Sequence, residues 1–194
     1  MTGNLRPDTI SDAESYHSLP DEALATVAAA GNRAAIEELT ARVYPIVHRF
    51  YIKLTRSAQD SQDLTQSAMI RMIENLGRYR PSEKSKFQSW VFRLSYNLFI
   101  DQTRRKKATP TDDQILRQVP DMRDAHAQTE QRQEAQLLLD GLPEELRAMV
   151  ILRYYMDMGY QEIAKAMDTT EKRVKWRLHD AMERMRRMHR EGAE

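Results

Sequence analysis

The sequence contains no cysteine, only six glycines and seven prolines, and no long apolar run. Without cysteine there is no disulfide framework, thiolate zinc site or cysteine nucleophile, and the composition is typical of a reducing compartment. The N-terminus lacks the apolar core of a signal peptide, and nowhere do about 18 apolar residues follow one another. We therefore expect a cytoplasmic protein without membrane insertion.

Aromatic residues are also few, at 7%, while hydrophobic residues make up 41% and charged residues 30% of the 194 positions. This composition favours a soluble helical architecture over a β-sheet. The length suits one medium domain or two small ones. We predict an all-α fold and no strand.

Charge is distributed in blocks although the net charge is only +1. Residues 71–107 carry ten basic and three acidic side chains, and residues 171–194 carry eight and five. Acidic residues dominate between these blocks, with nine against three basic ones in residues 108–146, and again in residues 1–38. We interpret the two basic blocks as two separate surfaces that bind a polyanion. The acidic stretch between them would be held away from the polyanion.

The acidic stretch from Ala108 to Gln133 lacks sustained apolar periodicity and is typical of a linker. It separates two small helical domains. We predict an N-terminal extension at 1–20, a first helical bundle at 21–107, a flexible acidic linker at 108–134 and a second helical domain at 135–194. Cleavage of the linker should then release two folded domains.

The first domain contains three or four helical patterns. Asn32 follows a glycine and marks a break before the first pattern, and Gly77 ends the second pattern. The second pattern places Leu64, Ala68, Ile70 or Met72, and Leu76 on its apolar stripe. The third has an apolar stripe beside a polar one, formed by Phe87, Trp90, Val91, Leu94 and Leu98 and by Arg93, Asn97, Asp101 and Arg104. Trp90 is either a core residue or an exposed aromatic that separates nucleic-acid strands.

The second domain has the pattern of a helix-turn-helix. A helix starting at Pro143 supports a short helix in "GYQEIAKAM", and a three-residue break leads to a last helix from Glu171. Thr170 can cap this last helix, and Asp168 stands in the turn where glycine is more usual.

The last helix divides into a packed and a presented face. Val174 and Leu178 begin a stripe that continues through Ala181, Met182 and Met185 and that we expect to be core. The opposite side carries Lys172, Trp176 and His179, flanked by Arg173, Lys175 and Arg177. Such a helix fits the DNA major groove, with its presented face on the bases and its flanks on phosphates. Trp176 is predicted either to contact DNA or to pack on a neighbouring helix.

Three segments together resemble the extracytoplasmic function (ECF) sigma factors, which keep only regions 2 and 4 of the sigma-70 family. "DSQDLTQSAMIRMIENLGRYRP" is similar to their Asp-Leu-x-Gln segment, and "FQSWVFRLSYNLFIDQTRRKK" to their promoter-melting segment. "LPEELRAMVILRYYMDMGYQEIAKAMDTTEKRVKWRLHDAMERMR" is similar to their reader of the −35 element. The likeness covers roughly residues 21–107 and 135–187.

The resemblance implies a transcription initiation factor that binds core RNA polymerase through its largest and second-largest subunits. Region 2 would dock on the clamp helices through Asp63 and Gln66, with Leu64 buried beside them. Region 2 would also open the −10 element through Asn97, Asp101, Arg104 and Arg105, and region 4 would read −35 DNA. The resemblance also implies an anti-sigma partner, and the acidic linker is expected to occupy the basic RNA exit channel.

Two other classes compete with this interpretation. A helix-turn-helix regulator that acts without being a polymerase subunit would bind a palindrome as a dimer, yet no dimerisation coiled coil is recognisable. An enzyme is disfavoured because the five histidines form no pairs at i+3 or i+4, and no Gly-rich phosphate loop or nucleophile elbow is present. We predict neither a metal site nor a cofactor.

Overall fold

The computed structural model describes residues 16–81, 86–108 and 130–192, and this part of the chain forms eight α-helices without a β-strand. The first four are α1 (Asp21–Ala29), α2 (Arg33–Thr55), α3 (Ala58–Asn75) and α4 (Phe87–Ala108). The last four are α5 (Glu130–Asp140), α6 (Glu144–Val150), α7 (Tyr160–Ala166) and α8 (Glu171–Glu191). None of the described helices is both long and apolar enough to cross a membrane.

Helices α1 to α4 form the first bundle, and local capping explains where two of them begin. The side chain of Asn32 accepts a hydrogen bond from the Ala35 N–H, and that of Ser57 accepts one from the Asp60 N–H. These bonds satisfy amide groups that have no partner inside the helix. Deep in the bundle, the buried Tyr51 hydroxyl donates to the Ser95 carbonyl at 2.8 Å and ties α2 to α4.

The first domain begins earlier in the chain than predicted, inside the segment 1–20 that we assigned to an N-terminal extension. Tyr16 is 2% exposed and belongs to the core. The guanidinium of Arg42 donates to the backbone carbonyls of Tyr16, His17 and Leu19. Sequence periodicity could not reveal this, because the anchoring arginine lies more than twenty residues further along the chain.

The second domain also begins earlier than predicted. Helix α5 starts at Glu130, inside the segment 108–134 that we assigned to the linker. Its sequence is rich in Glu and Gln, and tertiary packing on α6 and α8 holds it as a helix. His189 Nδ1 lies 2.5 Å from Glu134 Oε1 and joins α8 to α5. The rest of the predicted linker, residues 109–129, lies outside the described residues.

The helix-turn-helix is confirmed and is formed by α6, α7 and α8. Pro143 is the N-cap of α6, so the helix begins at Glu144, one residue after the predicted start, and α6 continues as a π-helical turn at Ile151–Tyr155. Asp168 has a φ of +51°, the left-handed conformation that aspartate tolerates. The Thr170 hydroxyl accepts the Arg173 N–H at 3.2 Å, as predicted for the cap of α8.

Candidate nucleic-acid interface

The packed face of α8 is the one that its sequence periodicity predicts. Val174, Leu178 and Ala181 are buried, Met182 is partly buried, and Met185 is partly buried against the core. The opposite side of the helix faces solvent. Lys172 and His179 are exposed there, and Trp176 is 62% exposed. Trp176 therefore does not pack in a core, and its indole is accessible to a ligand.

The basic side chains of α8 differ in how freely they can move. Lys172 and Arg173 are exposed at the start of the helix. Lys175 Nζ lies 2.6 Å from Glu171 Oε1, and this carboxylate raises the pKa of the lysine. The same ammonium lies 5.3 Å from the centre of the Tyr160 ring on α7.

Arg177 is the least exposed cation of the predicted set. Its side chain is 26% exposed, and its guanidinium lies 3.4 Å from the Glu145 carboxylate on α6. The Nε atom is buried and has no hydrogen-bond partner among the described residues. Arg177 must leave Glu145 if it is to reach a phosphate group.

Tyr160 belongs to this surface, and no sequence pattern had pointed to it. It begins α7 and is 37% exposed between the cations of Arg153 and Lys175. The start of α7 is held by the Gly159 N–H, which donates to the Glu162 carboxylate at 2.7 Å. No sequence spacing indicates this cluster, because its members come from three successive helical segments.

The polar stripe of α4 forms a second exposed surface. The four residues predicted to contact −10 DNA are all exposed, namely Asn97, Asp101, Arg104 and Arg105. Two of them line a groove of about 180 Å³ between α3 and α4, to which Asp63 also contributes. The groove therefore brings a predicted polymerase-binding residue next to predicted DNA-binding residues.

Helix α3 exposes a mixed polar and apolar stripe. Asp63 and Gln66 are exposed, and Asp63 accepts a hydrogen bond from Gln59 at 2.9 Å. Leu64 is 4% exposed, as expected. Ile70 is 58% exposed and Ile73 is 40% exposed, so of the two apolar alternatives only Met72 belongs to the core. Residues 63, 66, 70 and 73 lie at helical spacing on one face.

Comparison with known proteins assigns the chain to a family. Residues 39–109 match the family Sigma-70 region 2, and residues 132–185 match Sigma-70, region 4. The chain is 30% identical over 172 residues to the ECF RNA polymerase sigma factor SigM of Mycobacterium tuberculosis, covering 89% of this chain and 86% of that protein. The chain belongs to the ECF sigma factors.

Other relatives agree with this membership. The ECF RNA polymerase sigma factor SigE of Mycolicibacterium smegmatis is 29% identical over 167 residues, which are 81% of this chain and 64% of that protein. Among solved structures, the fold is similar to that of the sigma factor RpoE in complex with the anti-sigma factor NepR from Bartonella quintana. The TM-score is 0.68 at 18% identity, with 79% of this chain and 96% of that chain covered. A structure of CnrH in complex with the cytosolic domain of CnrY has a TM-score of 0.64 at 20% identity, covering 91% of this chain and 97% of that chain.

An aromatic cluster lies at the start of α4 in region 2 of this ECF sigma factor. Trp90 is partly buried, with its ring 5.3 Å from Tyr79 and 5.5 Å from Phe87 between centres. The Tyr79 hydroxyl is buried and has no hydrogen-bond partner among the described residues. Trp90 thus packs on the core but keeps part of its surface accessible.

Proposed function

We propose that this sigma factor directs core RNA polymerase to promoters by reading −35 DNA with α8 and melting the −10 element with α4. The observation that carries the proposal is the orientation of α8. The buried residues Val174, Leu178 and Ala181 pack α8 on the rest of region 4. Lys172, Trp176 and His179 therefore face solvent. An α-helix presented in this way fits the major groove.

Reading of the −35 element divides between base edges and phosphates. Lys172 and His179 can donate hydrogen bonds to base edges, and Trp176 can make apolar contact with a thymine methyl group. Arg173, Lys175 and Arg177 lie to either side, where the groove walls carry phosphates. The pairs that Lys175 and Arg177 form with Glu171 and Glu145 would be exchanged for phosphate contacts.

Melting of the −10 element falls to α4 and its basic C-terminal end. Asn97 and Asp101 can read the edges of unpaired bases, and Arg104 and Arg105 can bind the backbone of the separated strand. Capturing an unstacked base costs a few kcal/mol, which stacking and phosphate contacts offset. The preceding segment "PSEKSKF" would help, although residues 82–85 lie outside the described part of the chain.

Docking on the polymerase is assigned to α3. Asp63 and Gln66 would contact the clamp helices of the largest subunit, and the exposed Ile70 and Ile73 would add apolar area on the same face. Region 4 would dock on the flap of the second-largest subunit. The acidic residues 109–129 would occupy the RNA exit channel.

An anti-sigma factor is the expected regulator. Two proteins of similar fold were solved in complexes named for a sigma factor with an anti-sigma factor and for CnrH with CnrY. The relatives are named RNA polymerase sigma factors, and we assign this chain a non-enzymatic role of the same kind in the cytoplasm.

Run-off transcription tests the proposed function directly. Purified core polymerase is incubated with a genomic fragment library, with and without this protein. Promoter-specific transcripts that require the protein are the expected result. Polymerase-independent binding to a palindrome without new transcripts would instead favour a helix-turn-helix regulator.

Substitutions on α8 should separate base contacts from phosphate contacts. Lys172→Ala or His179→Ala should change preference at one or two base pairs of the −35 element by about 1 to 3 kcal/mol. Arg177→Ala should weaken binding to all −35 sequences alike and lower the salt slope by about one. Promoter-library selections at two salt concentrations measure both effects.

Lys175→Ala serves as the matched control for Arg177→Ala because it also removes a flanking cation that has an acidic partner. Lys175→Ala should likewise weaken binding to all −35 sequences alike, without a change in base preference. A change in base preference for Arg177→Ala with none for Lys172→Ala would contradict the proposed orientation of α8 on DNA.

A further inference from the structure

The first turn of α4 is capped by a residue of α1. Helices α2, α3 and α8 are each capped by the side chain that immediately precedes them, namely Asn32, Ser57 and Thr170. Lys86 precedes α4, and a lysine side chain has no oxygen that could accept an amide hydrogen. Instead, the Phe87 N–H donates to Glu22 Oε1 at 3.1 Å, across 65 positions of the chain. A distant carboxylate thus takes the place of a local cap.

The Glu22 carboxylate suits this place for two reasons. It is partly buried, and a hydrogen bond that is shielded from water is stronger. The first turn of a helix also carries the positive end of the helix dipole, which favours a negative charge. The neighbouring Asp21 lies 3.0 Å from Arg42 Nη1 of α2. The first turn of α1 therefore braces α4 against α2.

The capped turn carries an aromatic cluster. Phe87 is fully buried, and its ring lies 5.1 Å from that of Tyr79 and 5.5 Å from that of Trp90 between centres. Burial raises the pKa of Tyr79, and the carboxylates of Glu22 and Asp21 add to the rise. The two carboxylates therefore lie close to this cluster. A shift of the Phe87 backbone would move the Trp90 ring that packs on Phe87.

Trp90 stands in line with the residues predicted to bind −10 DNA. It precedes Asn97 by seven positions, or about two helical turns, so the two side chains leave α4 within about 20° of each other. Asp101 and Arg104 continue the same line. At about 1.5 Å per residue, Trp90 lies about 10 Å before Asn97 along the axis, which equals about three base steps of about 3.4 Å. The partly accessible indole thus ends the polar stripe, where a base can stack on it.

We propose that Glu22 is a positioning residue for promoter melting, because its carboxylate fixes the first turn of α4 and with it the indole of Trp90. The indole stacks on a base at the edge of the opened −10 element. A ring that is held in place beforehand loses little freedom when the base arrives. This role rests on the proposed function, in which α4 opens the −10 element, whereas the cap itself rests on the contact alone.

Hydrogen exchange in the free protein tests the cap without polymerase or promoter. The amides of Ser89 and Trp90 donate to the Lys86 carbonyl in the first turn of α4. In Glu22→Leu these amides should exchange about fivefold faster, equivalent to about 1 kcal/mol for a lost cap. In Glu22→Gln the rates should stay within about twofold of the wild-type values, because the side-chain amide oxygen can still accept the Phe87 N–H.

Glu37→Leu is the matched control for Glu22→Leu. It makes the same substitution at an exposed glutamate of α2 that pairs with Arg33. Amide exchange in the first turn of α4 should not change in this variant. Circular dichroism of each variant checks that the helices are retained.

Permanganate oxidation of unpaired thymines in the −10 element tests the effect on melting. Complexes of core polymerase with each variant are formed on a promoter recovered by run-off transcription. Glu22→Leu should lower the opened fraction about fivefold, whereas Glu22→Gln and Glu37→Leu should stay within about twofold of wild type. On a template whose −10 strands are mismatched and already separate, Glu22→Leu should initiate as well as wild type, because the melting step is bypassed.

Unchanged amide exchange in Glu22→Leu, opening at the wild-type level, or a defect that persists on the mismatched template would each overturn the role of Glu22. With transcription by the wild-type protein, these results leave the proposed function standing. A wild-type protein that gives no promoter-specific transcript would remove the proposed function and the role of Glu22 with it, although hydrogen exchange would still detect the cap.

Discussion

Arg147→Ala is expected to lower the free energy of unfolding by about 3 kcal/mol, because it leaves several buried carbonyl groups without a donor. The guanidinium donates to the carbonyls of Leu139, Asp140 and Leu142 as well as to that of Leu54. It thereby ties the end of α5 to α6 and to α2. Urea unfolding followed by circular dichroism measures the loss.

Arg153→Ala is the control for this prediction. Arg153 lies on the π-helical turn that continues α6, and its Nη1 donates to the Met158 carbonyl at 3.0 Å. Because Arg153 is partly exposed and makes this one hydrogen bond to a carbonyl, Arg153→Ala should lower the free energy of unfolding by about 1 kcal/mol or less. Equal losses for the two variants would show that the buried carbonyl network does not hold region 4 together.

Asp63→Arg is expected to weaken binding to core polymerase by about 2 kcal/mol, or about 30-fold in Kd. The exposed carboxylate of Asp63 would be replaced by a charge of the same sign as the basic partner proposed for it. The helix should stay folded, because the Asp63 side chain is on the surface and the neighbouring Leu64 keeps its place in the core. Fluorescence anisotropy with purified core polymerase measures the affinity.

Glu37→Arg makes the same charge change on α2 and is the matched control. Glu37 is 65% exposed and pairs with Arg33 one helical turn away, an interaction worth a few tenths of a kcal/mol. The affinity of the Glu37→Arg variant for polymerase should stay within about twofold of the wild-type value, or about 0.4 kcal/mol. If Asp63→Arg bound as tightly as Glu37→Arg, α3 would not be the docking helix.

Helix faces and caps were predictable from the sequence where they depend on residues close together in the chain. The stripe from Val174 to Met185 predicts the packed side of α8, and the structure confirms it. Thr170 and Asp168 were correctly placed at the cap and the turn, because capping and left-handed conformations are set by one or two residues.

Sequence patterns left residues undecided, or were wrong, where burial is decided by a distant partner. Periodicity left Ile70 and Met72 as alternatives, and only packing against the neighbouring helices puts Met72 in the core and Ile70 in solvent. The start of α5 inside the predicted linker has the same cause. Its polar sequence carries little signal, and its contacts with α6 and α8 stabilise it.

The helices, the helix-turn-helix and the family could be predicted from the sequence, because those features lie in local patterns of three to four residues and in the order of motifs. How the regions meet and which cations form ion pairs depends on the packing of the helices in three dimensions. Arg147 reaches a carbonyl 93 positions away, and Arg177 turns back to Glu145 instead of facing outward. Side chains this long can reach several partners, and the packing of the helices selects one of them.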